Sequence, residues 1–259
     1  MSIVSKVRIT SPVKTDDVIF LMMKQTQAEL ALLVPDMAIE RVTRRKQTIT
    51  ELFKTDDSPV IVISRQLPVL YFSADEKIVY HENTMNFKLK RFHKYGEVPP
   101  LIAVMPVELT SRAVIVDATM GLGNDLMLMA HMLKSARFHA FEAHPLIYYV
   151  IKEGIMRYYS EELTGRITFH YGTACDDIVA ASDVVYADPM FETTISQDSG
   201  MQVLTNHVQQ ADHDFLAALI VHAPCVILKA HFRSPLFQQY GFQVAVRKSS
   251  KSHFGIICN

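Results

Sequence analysis

The residues best suited to chemistry lie in Val114–Asp125, VIVDATMGLGND. An apolar run ends in Asp117 and Ala118, passes Thr119 and two glycines, Gly121 and Gly123, and reaches Asn124 and Asp125. A strand ending in an acid, then a Gly-x-Gly turn, then a helix start, can be an ordinary strand–helix turn or one wall of a nucleotide site. The glycines let the backbone come close to a ligand, and the first N–H groups of the helix attract an anionic group. Position 126 is Leu where the dinucleotide fingerprint has its third Gly, and no Gly-Lys-Ser/Thr follows, which excludes a P-loop. A second acid, Glu142, ends the next apolar run about 25 residues after Asp117. A carboxylate there can accept from both hydroxyls of a ribose. The third run ends in Tyr171-Gly172-Thr173-Ala174, near where an adenine would lie, and the fourth in Asp188-Pro189-Met190-Phe191.

These groups can converge only if the elements between them bring four strand ends to one edge. Runs of strand and helix character alternate: strand 113–118, helix 125–135, strand 137–142, helix 145–159, strands 167–171 and 184–188, helix 206–221, strand 225–229. Two closing runs, 242–247 and 253–258, surround Lys248–Lys251. The alternation predicts an α/β fold: a Rossmann-like, doubly wound, mostly parallel sheet with an antiparallel terminal hairpin. All four polar ends then share the carboxyl edge, where such folds bind ligands. Residues 1–95 predict a smaller α/β unit. Its strands are 6–9 and 59–63, a hairpin joins 67–72 to 77–80, and helices start near Asp16 and span 45–53 and 81–95. Gly96–Pro100 marks the boundary, with 96–259 as the main domain.

Asp117-x-Thr119-x-Gly121-Leu122-Gly123-x-Asp125, followed by Glu142 and by Asp188-Pro189-Met190-Phe191, resembles the class I S-adenosylmethionine-dependent methyltransferases. More narrowly it resembles the small-subunit ribosomal RNA guanine-N2 methyltransferases and their bacterial relatives. The likeness covers roughly residues 80–259, including the lead-in stretch 81–91. It implies S-adenosyl-L-methionine as cofactor. It also implies cofactor contacts at Asp117, Thr119, Gly121, Gly123, Asn124, Asp125, Glu142, Ala143, Thr173, Ala174 and Asp188. In enzymes that methylate amino groups, an Asp/Asn-Pro-Pro-aromatic turn holds the amine. The resemblance makes Asp188, Pro189 and Phe191 the catalytic set, with Met190 in place of the second Pro and Lys229 near phosphate or substrate. The expected partner is ribosomal RNA, and the expected place is the cytoplasm. A small-molecule methyltransferase and a non-catalytic RNA-binding protein remain open as alternatives.

Composition narrows the remaining classes. The 259 residues are 49 % hydrophobic and 20 % charged, enough apolar material for a core and too much for a disordered chain. Residues 1–100 carry +3 and residues 101–259 carry −4, with basic runs at Arg41–Lys46 and Lys88–Lys94 that could hold phosphates. The longest apolar stretches, such as 126–130 and 216–221, fall far short of the roughly 20 residues needed to cross a bilayer. No secretory signal is legible at the N-terminus. Cys175, Cys225 and Cys258 are few and far apart, which predicts no disulfide framework and a reducing compartment. No Cys-x-x-Cys and no clustered His set predict no metal. No Gly-x-Ser-x-Gly elbow is present.

Overall fold

A computed structural model describes residues 4–108, 112–189, 213–247 and 250–259. They divide into two compact units, 4–81 with 144–159, and the remainder from residue 82 onward. The helix over 83–95 belongs with the second unit, and the helix after Glu142 with the first.

The first unit is built on a five-stranded sheet in the order β2-β1-β3-β4-β5. Its strands are β1 (Lys6–Thr10), β2 (Ala38–Arg41), β3 (Val60–Val62), β4 (Val69–Tyr71) and β5 (Lys77–Ile78). β1 runs parallel to β2 and β3, while β3, β4 and β5 alternate in direction, so the expected hairpin is present. β2 escapes the sequence reading because it is a mostly exposed edge strand ending in Glu40 and Arg41, without an apolar run. Helix α1 (Asp17–Leu33) starts where the Asp16 carboxylate accepts the Ile19 N–H at 3.0 Å. α2 (Ile49–Phe53) starts later than expected, at a capping box between Thr48 and Glu51. Arg8 is buried and donates to the carbonyls of Leu52, Asp56 and Ser58, which ties β1 to α2 and its exit loop. This unit also holds α6 (Pro145–Tyr158), whose Tyr149 hydroxyl donates to Thr26 at 2.9 Å.

The second unit contains a seven-stranded sheet in the order β11-β12-β10-β9-β6-β7-β8. The parallel strands are β6 (Val114–Asp117), β7 (Arg137–Glu142), β8 (Ile167–Tyr171), β9 (Val184–Ala187) and β10 (Cys225–His231). β11 (Gln243–Ala245) and β12 (Ser252–Cys258) form the antiparallel end. The fold is thus α/β and Rossmann-like, as the alternation of runs requires. The central strand β9 is buried at all four positions, as a strand of a parallel sheet with both faces covered should be. Around it lie α3 (Asn83–Tyr95), α4 (Pro100–Ala103), α5 (Asn124–Met132), α7 (Glu161–Thr164), α8 (Asp176–Ala180), α9 (His213–His222) and α10 (Leu236–Gln239). The first seven residues of the expected helix 206–221 lie outside the described residues.

Chain order reverses at β6. From it the sheet proceeds through β7 and β8 on one side and through β9 and β10 on the other. The crevice outside the carboxyl ends of β6 and β9 is therefore the switch point at which open α/β sheets bind ligands.

One sequence expectation is corrected. Cys225 and Cys258 are register partners on β10 and β12, and they are joined as a disulfide. Their separation of 33 residues hides an antiparallel pairing that brings them face to face.

Candidate active site

Asp117 is the last residue of β6 and is 1 % exposed. Its Oδ1 accepts the Thr119 N–H at 3.1 Å and shapes the first turn of the loop. Burial pushes its carboxyl up to about 8, with the carboxylates of Asp125, Asp188 and Glu142 adding to the effect against the Thr119 hydrogen bond. At neutral pH Asp117 is therefore largely a neutral acid. Thr119 reaches the other way, and its Oγ1 accepts the Asp188 N–H at 2.7 Å. The loop is also tied to β7: the Met120 N–H donates to the Phe141 carbonyl at 2.8 Å, and the Gly121 N–H to Glu142 Oε2 at 3.0 Å. Gly121 and Gly123 adopt φ of 51° and 74°, left-handed values that favour glycine, so this tight path needs both. Gly123 leads into α5, and the Oδ1 of Asn124 is buried with no hydrogen-bond partner.

Asp125, the next residue, is the hub of an ionic cluster. Its Oδ1 accepts from Lys88 Nζ of α3 at 2.7 Å. Its Oδ2 accepts from the Tyr186 hydroxyl of β9 at 2.8 Å and from Lys229 Nζ of β10 at 3.0 Å. Lys229 also donates to Asp188 Oδ2 at 2.5 Å. Burial alone would raise Asp125, but the ammonium groups of Lys229 and Lys88 hold it well below the usual carboxylate range. Burial works against the charge of Lys229 too, yet Asp125 and Asp188 hold it above its ordinary value. Burial pushes Asp188 up, with Lys229 opposing.

Sequence reasoning placed Asp125 among the ligand contacts. The structure gives its carboxylate three donors from within the chain. Lys88 stood only as one charge in a basic run. The sequence reading does not single out Tyr186, although a Tyr two residues before Asp188 in an extended run shares its face. Of the other expected residues, Glu142 is 6 % exposed at the end of β7, Ala143 and Thr173 are exposed beyond β7 and β8, Ala174 is half-buried, and Pro189 is buried. Met190 and Phe191 lie outside the described residues.

The residues present fit S-adenosylmethionine. A glycine loop ahead of α5, an unpartnered amide oxygen at Asn124 and an acid at the end of β7 supply a close backbone approach, an acceptor for an ammonium and an acceptor for ribose hydroxyls. Gly172, at φ 119°, has open space where a Cβ would stand and leaves room beside the Thr173-Ala174 turn. Among the described residues no group of three or more His, Cys, Asp or Glu is placed to hold a metal ion. Nor is any described helix long and apolar enough to cross a membrane.

Comparison with known proteins agrees. The family described as "Putative SAM-dependent methyltransferase" matches residues 42–234. The Bacillus subtilis (strain 168) protein YpiP, itself uncharacterized, is 29 % identical over 227 residues, 83 % of this chain and 87 % of its own length. Ribosomal RNA small subunit methyltransferase J of Photorhabdus laumondii is 36 % identical over 85 residues, and that of Neisseria meningitidis 33 % over 95. The chain spans about a third of the length of these last two, 34 % and 37 %. The crystal structure of a SAM-dependent methyltransferase from Neisseria gonorrhoeae superposes with a TM-score of 0.57 at 17 % identity, over 97 % of this chain and 95 % of that one, so the two share a fold. The chain belongs to the SAM-dependent methyltransferase family, related to the ribosomal RNA small subunit methyltransferase J proteins, and its cofactor is S-adenosyl-L-methionine.

Proposed function

We propose that this chain methylates an exocyclic amino group of guanine in ribosomal RNA. The observation that carries this reading is the placement of Asp188 and Pro189. They follow β9 at the switch point, with the Asp188 N–H held by Thr119 and its carboxylate by Lys229. The Asp-Pro-Met-Phe sequence and the partial likeness to methyltransferase J support the same reading.

The bound cofactor supplies a methyl group already activated by its sulfonium, so the chain's task is positioning. Glu142 accepts from the ribose hydroxyls, the Thr173-Ala174 turn borders the adenine, and Gly121, Gly123 and Asn124 face the methionine portion. Asp117, held neutral, shapes the loop by accepting from Thr119. Asp125 acts through Lys229 and Lys88. An Asp188 oxygen accepts one N–H of the target amine and keeps the nitrogen lone pair aimed at the methyl carbon. It would take the proton that the nitrogen sheds as the methyl group passes from sulfur to nitrogen, the methyl–sulfur bond breaking as the C–N bond forms, a role its raised carboxyl suits. Phe191 stacks on the guanine ring. A ribosomal RNA substrate puts the protein in the cytoplasm.

The test is methyl transfer from tritiated S-adenosylmethionine to undermodified small-subunit RNA, with the product identified by nucleoside mass analysis. The parent should form N2-methylguanosine, and Asp188→Ala should lose nearly all turnover while S-adenosylhomocysteine still binds. Equal turnover in both proteins, or a methyl group on a ring atom, overturns the reading.

A further inference from the structure

Helix α3 carries two faces of different character. Met85 is buried, and Asn86, Lys88, Leu89 and Phe92 are half-buried. From this inner side Lys88 reaches Asp125 of the ionic cluster. Phe87, Lys90, Arg91, Lys94 and Tyr95 are exposed, and their spacing of i, i+3, i+4, i+7, i+8 makes them one continuous stripe. Phe87 and Tyr95 are each 62 % exposed. Cations lie over both, Arg91 at 5.6 Å from the Phe87 ring centre and Lys94 at 5.0 Å from that of Tyr95. The helix contains four Lys/Arg and no acid, in a chain whose net charge is −1. Arg91 is engaged by Glu97, just beyond the helix end. Lys90 and Lys94 extend the positive stripe on either side of it.

We propose that this outer face of α3 docks an unpaired RNA segment next to the target base. The inference rests on the RNA reading given above and adds the surface and the kind of strand. Charge complementarity favours a polyanion. Two exposed rings about two helical turns apart favour one whose bases are free to stack, since base–aromatic stacking needs an unstacked base and a duplex offers none. Through Lys88 the same helix touches the cluster that holds Asp188, so a strand bound to its outer face runs beside the site. An anionic lipid surface would use the charges too, but places no demand on a helix tied to a catalytic cluster.

The experiment uses the full chain and two double variants, Phe87→Ala with Tyr95→Ala, and Lys90→Gln with Lys94→Gln. Binding is read by fluorescence anisotropy with a short unstructured RNA oligonucleotide, with the same RNA annealed to its complement, and with vesicles containing phosphatidylglycerol. The parent should prefer the unpaired strand, and each variant should weaken that binding by about tenfold or more. The Lys variant should also lower the salt slope by about 1.4, or 0.7 for each lost phosphate contact. Melting temperature and S-adenosylhomocysteine affinity should stay at parent values. Unchanged RNA binding in both variants, equal affinity for duplex, or a loss confined to vesicles overturns the proposal. Methylation assays separate this failure from that of the RNA reading. If the parent methylates RNA and the variants do so with the same KM, the docking face falls and the function stands. If the variants lose RNA binding but the parent methylates no RNA, the function falls and the face stands.

Discussion

Lys229 and Asp117 show how two ionisable groups are handled differently within one site. Lys229 is paired with both Asp125 and Asp188, so its charge survives burial and favours the ionised form of Asp188. Lys229→Met removes that support and leaves Asp188 with burial and Asp125 both raising it. If ionised Asp188 is the active form, the acid limb of the pH–rate profile should move to higher pH in Lys229→Met and stay near the parent position in Lys229→Arg. A parent-like limb in Lys229→Met would remove Lys229 from this role. Asp117 has no such cation among the described residues and is largely neutral in the fold below about 8. Its folded value lies above its unfolded one, so the folded state binds the proton more tightly between the two. Its contribution to stability is full below about 4 and declines as pH rises to about 8. Asp117→Asn, which keeps the shape without the titration, should melt closer to the parent at pH 5 and gain on it at pH 8 to 9. Parallel melting curves across that range would refute a buried neutral acid. The sequence shows that Asp117 and Glu142 end strands and that Asp188 stands at the end of another, one residue past β9, because strand runs and their punctuation are local. It does not show that Asp125 turns inward to two lysines, because those partners lie 37 and 104 residues away.

At the scale of elements, legibility follows locality. Strands with continuous apolar runs, such as β3, β6 and β9, and helices with side-chain caps, such as α1, stand out in the sequence because period and cap are written within a few residues. What escapes is set by partners distant along the chain. The edge strand β2 is specified by β1 beside it, and the Cys225–Cys258 pairing by the register of β10 on β12. Gly154 belongs to the same class. Within α6 it reads as an unfavourable helix residue, yet a Cβ there would stand 2.3 Å from the Tyr80 Cβ, so the glycine admits the buried Tyr80 against the helix. Helix propensity alone predicts that Gly154→Ala stabilises by about 1 kcal/mol. The close approach predicts the reverse, a loss of about 1–3 kcal/mol from overpacking. Chemical denaturation distinguishes the two by sign, and a rise in midpoint would show that α6 can shift away from Tyr80.

For the whole molecule, the expectation concerns what ligand binding does to the folded state. The loop Thr119–Gly123 is stitched at three points, to Asp188 beyond β9, to Phe141 and to Glu142, so one ligand lying across it would couple the ends of β6, β7 and β9. A ligand that binds only the native state stabilises by RT ln(1 + [L]/Kd), about 2.7 kcal/mol at a hundredfold excess over Kd. For a chain of this length that corresponds to a rise of roughly 5–10 °C in melting temperature. S-adenosylmethionine and S-adenosylhomocysteine should both produce it, and NAD at the same concentration should not, because Leu126 stands where the third dinucleotide glycine is needed. Glu142→Ala sharpens the measurement. The carboxylate both accepts from the Gly121 N–H and stands where ribose hydroxyls are expected, so its loss should weaken cofactor binding by about 1.5–3 kcal/mol and shrink the thermal rise accordingly. The ligand-free variant should melt somewhat below the parent, since one tie to the loop is gone and the side chain is only 6 % exposed. The two effects are read separately, the first from the rise on adding ligand and the second from the baseline. A lowered baseline with an undiminished rise would leave Glu142 as a tie for the glycine loop and move ribose recognition to another residue.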